Sequence, residues 1–180
     1  EKIMAYETIS LDATPGGIAV ITLNRPEKHN AFNAIVIEEL TDAIETLTEQ
    51  TTIRMVILRG NGPSFSAGAD LEWMKAAASY SRHENEEDAF KLAEMLRKLA
   101  NLPQMTVALV QGAAMGGGAG LVAACDIAVA MKDTKFRFSE VRLGLTPATI
   151  SPFVISAIGP RWAKALFVSA ESFDAAFAER

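Results

Sequence analysis

One cysteine and two histidines in 180 residues remove several chemistries at once. Cys125 has no partner for an internal disulfide and lies in an apolar run, so it reads as a small core residue in a reducing compartment. His29 and His83 are far apart and, with a single thiol, offer no zinc site; the expectation is that no metal is bound. A Ser-His-Asp triad would need one of these histidines, and neither lies near a nucleophile-elbow pattern. His83 falls in a polar segment and reads as a solvated helix-start residue. No Gly-x-x-x-x-Gly-Lys-Ser/Thr occurs, and the glycines do not match Gly-x-Gly-x-x-Gly. The first residues, Glu1 to Glu7, carry no apolar core, so no signal peptide is expected. The net charge of −5 argues against general binding to nucleic acid or membrane surfaces. Only Met105 to Ala130 approaches membrane length. Gln111, Asp126 and five clustered glycines make it a poor spanning helix, whereas two short apolar runs around a glycine-rich centre suit a parallel sheet.

What is there is an apolar, one-domain chain, with 49% hydrophobic residues and no linker or repeat. Gly16-Gly17 separates two expected strands, Ala5 to Leu11 and Ile18 to Leu23, and Asn24-Arg25-Pro26 ends the second. A helix is expected from about Ala34, capped by Asn30 or Asn33, with Val36, Leu40, Ala43, Ile44 and Leu47 buried. Arg54 to Arg59 reads as a buried strand. Asp70 can cap a short helix from Leu71. Ser81 and Glu84 have capping-box spacing for a longer one, whose apolar face would be Ala89, Leu92, Ala93, Leu96, Leu99 and Ala100. Ile127 to Ala130 and Lys135 to Phe138 read as strands. Helices follow over Ser151 to Ile158 and Trp162 to Ala170, broken at Gly159-Pro160, with Thr149 or Ser151 as a cap. Strand, loop and helix recur, which predicts α/β layering.

Two glycine-rich loops each follow a strand and open a helix: Ala67-Gly-Ala-Asp70 and Gly116-Gly-Gly118. The second lies in Gln111-Gly-Ala-Ala-Met-Gly-Gly-Gly-Ala-Gly-Leu-Val-Ala-Ala-Cys-Asp126. If neighbouring strands bring the loops together, their amides can converge on one oxygen and stabilise an enolate or tetrahedral oxyanion. A tightly packed helix entry would explain the glycines equally well. Glu140, at the end of the next strand unit, is the nearest ionisable group for proton transfer.

Phe65-Ser-Ala-Gly-Ala-Asp70 with Leu71, Gln111-Gly-x-x-x-Gly-Gly-Gly with Cys-Asp126, and Ser139-Glu140 with Leu143-Gly144 occur in this order. With Thr22-Leu-Asn-Arg-Pro26 and Asn30-Ala31, this chain resembles the enoyl-CoA hydratase/isomerase (crotonase) superfamily over essentially its whole length. Within it, Gly-Gly-Gly-x-Gly-Leu and Ser139 to Pro152 look most like methylglutaconyl-CoA and isohexenylglutaconyl-CoA hydratases. The resemblance implies a spiral of β-β-α turns with parallel sheets and outer helices. It implies an acyl-CoA thioester substrate and no separate cofactor, coenzyme A being part of that substrate. The thioester carbonyl would be held by the amides of Ala69 and Gly117. The adenine end would lie on Ala67, Ala69, Asp70, Leu71 and Glu72, with Arg25 and Lys28 as candidates for the CoA phosphates. A cytoplasmic location (the mitochondrial matrix in a eukaryote) and a homo-oligomer, a trimer or dimer of trimers, are also implied. So are further helices beyond Phe173 to Arg180, which complete the acyl pocket in relatives.

Hydratases of the family commonly use two glutamates, one after Gly-Gly-Gly-x and one at the position of Glu140. Here the first position is Gly120, so Glu140 is the only family-matched acid/base. Three readings follow: hydration by Glu140 with help from the substrate's own carboxylate or another side chain; double-bond isomerisation by one glutamate; or acyl-CoA or RNA binding without catalysis. The hydroxyls of Thr146 to Ser151, with Arg142, could receive a polar acyl end.

Overall fold

In the computed structural model residues 2–180 are described, with the side chains of residues 2–4 left aside. Among the described residues nine strands form two sheets: β1 Lys2–Met4, β2 Ile9–Thr14, β3 Ile18–Leu23, β4 Met55–Gly60, β5 Met105–Val110, β6 Ala113–Met115, β7 Ile127–Ala130, β8 Lys135–Arg137 and β9 Phe173–Asp174. The helices are α1 Ala34–Thr48, α2 Leu71–Ala77, α3 Arg82–Ala100, α4 Gly117–Ala124, α5 Ser151–Ser169 and α6 Ala175–Glu179. The larger sheet runs β1-β2-β3-β4-β5-β7, antiparallel over its first two pairings and parallel from β3 to β7. The smaller sheet runs β6-β8-β9.

The two sheets are filled in alternation, which produces the spiral. Strand β5 enters the large sheet, β6 the small one, and α4 follows; β7, β8 and α5 repeat the order. The turn before them is abbreviated: after β4 a single bridge, Ser66 with Ala114, stands where the small-sheet strand would be, and α2 follows. Because β3, β4, β5 and β7 are parallel, as are β6 and β8, the chain leaves the strands of each set at one edge, where α1, α2, α4 and α5 follow.

The core lies between the large sheet and α1, α3 and α4. Ile21, Leu23, Val56 and Leu58 meet Leu40, Ile44 and Leu47 of α1 and Leu96 and Leu99 of α3, all at most 2% exposed. Each such side chain contributes about 2 kcal/mol through area removed from water. Asn33 caps α1, its Oδ1 accepting from the Val36 amide at 3.0 Å. Ser81 and Glu84 form the capping box of α3. Met105 to Ala130 is divided among β5, β6, α4 and β7, and no helix among the described residues is long and apolar enough to cross a membrane.

Three expectations need correction. The strand expected at Ala5 to Leu11 begins at Ile9 and runs to Thr14. The amides of Glu7 and Thr8 donate to the Glu39 carboxylate of α1, at 2.6 and 2.7 Å, which draws that segment off the sheet. On α3, Ala89 and Ala100 are exposed and Met95 is buried, because only the C-terminal half of the helix reaches the core. Neither Thr149 nor Ser151 caps α5. The amides of Ser151 and Phe153 take the carbonyls of Pro147 and Ile150, and Pro152 between them has no N–H to satisfy. The expected break is present within α5: Gly159, at φ 81°, leaves the helical region just before Pro160.

Candidate active site

Strands β4 and β5 are parallel neighbours, so the chain leaves both at the same edge. The two glycine-rich loops therefore start side by side, and four contacts fix their separation. Ser66 donates its amide to the Ala113 carbonyl at 3.0 Å and accepts from the Met115 amide at 2.9 Å. At Gly68, φ is +90° and a β-carbon would stand 2.8 Å from the Met115 carbonyl oxygen. Only glycine meets both conditions. At Gly118, a β-carbon would lie 2.6 Å from the Ser66 carbonyl oxygen, so α4 rests directly on the first loop. Much of the glycine stretch is thus a packing device, as the plainer of the two readings held.

Packing also orients the two amides. Phe32 pairs with Ala69 as an isolated parallel bridge: the Phe32 amide donates to Gly68 at 2.7 Å, and the Phe32 carbonyl accepts from Asp70 at 2.8 Å. In such a bridge the residue between the two bonds turns its own amide away, so the N–H of Ala69 faces outward. Gly117 opens α4, where the first amides have no intrahelical acceptor. Among the described residues neither amide donates to a protein acceptor. The Phe32 ring stands where a side chain at 117 would be, 2.9 Å from such a β-carbon. One residue therefore braces both amides, through its backbone on one side and its ring on the other. Phe32 was not singled out from sequence, since a lone aromatic between Asn30 and the cap of α1 carries no periodic signal.

Glu140 begins a 3₁₀ turn, Glu140–Leu143, just after β8. The Gly116 amide donates to the Arg137 carbonyl at 2.9 Å, which ties this segment to the second loop. A β-carbon at Gly116 would sit 3.2 Å from Glu140 Oε1, so the carboxylate lies against the peptide that precedes the Gly117 amide. Glu140 Oε2 is buried and has no hydrogen-bond partner among the described residues. Burial raises the pKa of this carboxyl above its usual range, only partly opposed by the residue's own amide.

Ala69, Gly117 and Glu140 line one cleft of about 400 Å³. Leu71, Trp73, Leu92 and Ile150 give it apolar walls, and Ser139, Thr146 and Thr149 give it hydroxyls. Arg142 is exposed and does not line it. Ala67 and Ala69 are exposed while Gly68 and Asp70 are buried, an alternation that turns the first pair toward the cleft. Leu71 is 70% exposed at its rim, and Glu72 is exposed beside it.

The remaining candidates are engaged elsewhere. Arg25 donates from Nη1 to the Ala31 carbonyl at 2.6 Å and from Nη2 to Asp70 Oδ2 at 3.1 Å. Asp70 Oδ1 accepts the Glu72 and Trp73 amides and caps α2. Burial pushes the Asp70 carboxyl upward, but these amides and Arg25 outweigh it and hold it below its usual range. Arg25 thus fastens the loop that carries the Ala69 amide. Lys28 is half exposed and pairs loosely with Glu72 at 3.7 Å. Glu72 is solvent-facing, so that pair contributes little. His83 lies on the surface 3.5 Å from Glu87, far from this site in character as in contacts.

The family model for Enoyl-CoA hydratase/isomerase matches residues 13–180. Among solved structures, an enoyl-CoA hydratase from Shewanella pealeana is 42% identical with a TM-score of 0.93, over 96% of this chain and 64% of that one. A crotonyl-CoA hydratase of Syntrophomonas wolfei is 33% identical over 177 residues, 96% of this chain and 65% of that protein. Enoyl-CoA hydratase AKT6-1 of Alternaria alternata is 36% identical over 155 residues, 86% of this chain and 50% of that protein. The chain spans half to about two thirds of the length of the curated relatives it matches.

Proposed function

We propose that this chain, which belongs to the enoyl-CoA hydratase/isomerase family, adds water across the 2,3 double bond of an enoyl-CoA thioester with Glu140 as the sole acid/base. The observation that carries the reading is the Glu140 carboxyl, whose Oε2 is buried without a partner among the described residues and whose Oε1 lies against Gly116, one peptide from a free helix-start amide. The Glu140 carboxylate takes a proton from water as its oxygen bonds to C3 of the acyl chain. The electron pair of the double bond moves toward the thioester oxygen. The amides of Ala69 and Gly117 stabilise that enolate, each contributing about 10²–10³ in rate. Glu140 then returns the proton to C2, so that one water is added in all. A carboxyl with a raised pKa suits both halves, since it is a stronger base toward water than an ordinary carboxylate and can still return the proton.

The acyl group we favour is branched and carboxylated, of the 3-methylglutaconyl type. Support comes from the Gly-Gly-Gly-x-Gly-Leu and Ser139 to Pro152 patterns and from the hydroxyls of Ser139, Thr146 and Thr149 in the cleft. Turnover of crotonyl-CoA, 3-methylglutaconyl-CoA and a 3-enoyl-CoA tests the proposal. Hydration is expected, fastest with the branched substrate. Hydration of none of them would sink the reading, and double-bond migration alone would replace it with isomerisation. Glu140→Gln should lower kcat at least 10³-fold while acyl-CoA still binds.

A further inference from the structure

Gly120 is buried in α4, and the place where its side chain would be is already filled. A β-carbon there would stand 2.5 Å from Ile150 Cγ2 and 3.0 Å from Ile150 Cβ. Ile150 is 2% exposed and at the same time lines the cleft that holds Glu140, just before α5. No carboxylate at 120 can coexist with Ile150 in this position. We propose that Ile150 is a specificity-determining residue. Its branched side chain, seated on Gly120, forms an aliphatic wall of the acyl subsite where a second carboxylate would otherwise stand, and it sets the bulk of the acyl group admitted beside Glu140.

Two consequences separate this from a purely structural role. A wall selects among acyl groups by size, and one methylene of misfit in an apolar pocket is worth roughly 10–200-fold. A seat on Gly120 makes the two positions sterically dependent, so their substitutions are not additive. The size argument rests on the cleft being an acyl-CoA site; the steric argument does not.

The test uses Ile150→Ala in the whole chain, with affinities for butyryl-, isovaleryl- and octanoyl-CoA measured by calorimetry in a Glu140→Gln background. The ratio of octanoyl- to butyryl-CoA affinity should rise at least tenfold. An equal change for all three would overturn the wall. Binding of none of them before the Ile150 change would instead count against the acyl-CoA reading itself. In parallel, Gly120→Ala should lower Tm in the parent chain, and at least half of that loss should vanish with Ile150→Ala present. Additive losses would overturn the seat, whatever the chain binds.

Discussion

The loop that supplies the Ala69 amide and the loop that supplies the Gly117 amide have the same role in the proposed mechanism and are held by different forces. The first is tied by polar bonds: Arg25 to Asp70, Asp70 to the α2 amides, Asn30 Nδ2 to the carbonyls of Asn61 and Ser64, and Ser66 Oγ to the Asn30 carbonyl. The second has no side-chain cap and is set by backbone packed against backbone and against the Phe32 ring. Hydrogen bonds between partly buried groups can adjust when one member is lost. Close-packed backbone cannot, because interiors resist both compression and voids. The carboxylates beside the loops differ in the same sense. Asp70 is fully partnered and holds structure, whereas Glu140 keeps an unpartnered oxygen, which suits the acid/base role proposed for it.

The packed loop should therefore break harder. Gly118→Ala places a β-carbon 2.6 Å from a backbone oxygen, with no flexible side chain to yield. Overpacking of this kind costs about 1–3 kcal/mol. Any shift of α4 moves the Gly117 amide, and a displacement near 1 Å can cost about 10²-fold in rate. Urea unfolding and kcat should fall together. An unchanged kcat in a destabilised variant would show that the amide is not fixed by this contact.

The polar loop should yield by degrees. Arg25→Met removes two charge-assisted bonds but leaves Asp70 its two amide donors. About 1–2 kcal/mol of stability and about tenfold in kcat are expected to go, with KM for the CoA thioester nearly constant. A raised KM with unchanged kcat would instead mean that Arg25 meets the CoA phosphates. That outcome would dissolve the contrast between the loops.

The sequence made one half of this contrast far more legible than the other. Periodicity found α1 and its buried stripe, and cap chemistry found Asn33, Asp70 and Ser81, because these signals are local. Glu140 stood out as the nearest ionisable group, Ala69 and Gly117 were named through a resemblance, and their shared cleft follows from β4 being parallel to β5 and β6 to β8. What escaped notice depended on tertiary contact. Phe32 lies on no helix face, Ile150 reads only as a helix-start residue, and Arg25, named as a candidate for the CoA phosphates, shows its tie to the first loop only once Asp70 is brought beside it. Glycines were visible at once, but a sequence does not say what each one touches. Gly68 and Gly118 face backbone, Gly117 an aromatic ring, and Gly120 the isoleucine that stands in for a side chain.

The smallest effect expected is in the pH dependence of stability, where the two carboxylates should pull in opposite directions. The folded pKa of Glu140 is raised above its ordinary 4.5, so between these values the folded chain holds a proton that the unfolded chain has released. Its contribution is full below about pH 4.5 and is lost as pH rises through the raised value. Asp70 is lowered from 3.8, so its contribution is present above that value and is lost only as pH falls through the lowered one. Urea unfolding of the parent chain and of Glu140→Gln should therefore diverge as pH climbs from 4.5 toward neutrality, the variant becoming the more stable. Asp70→Asn should lose its deficit against the parent only in acid, below pH 3.8. Parallel curves for the parent and Glu140→Gln would mean that the Glu140 carboxyl is as well solvated or partnered as any on the surface, and the distinction between a structural and a chemical carboxylate would fall with it.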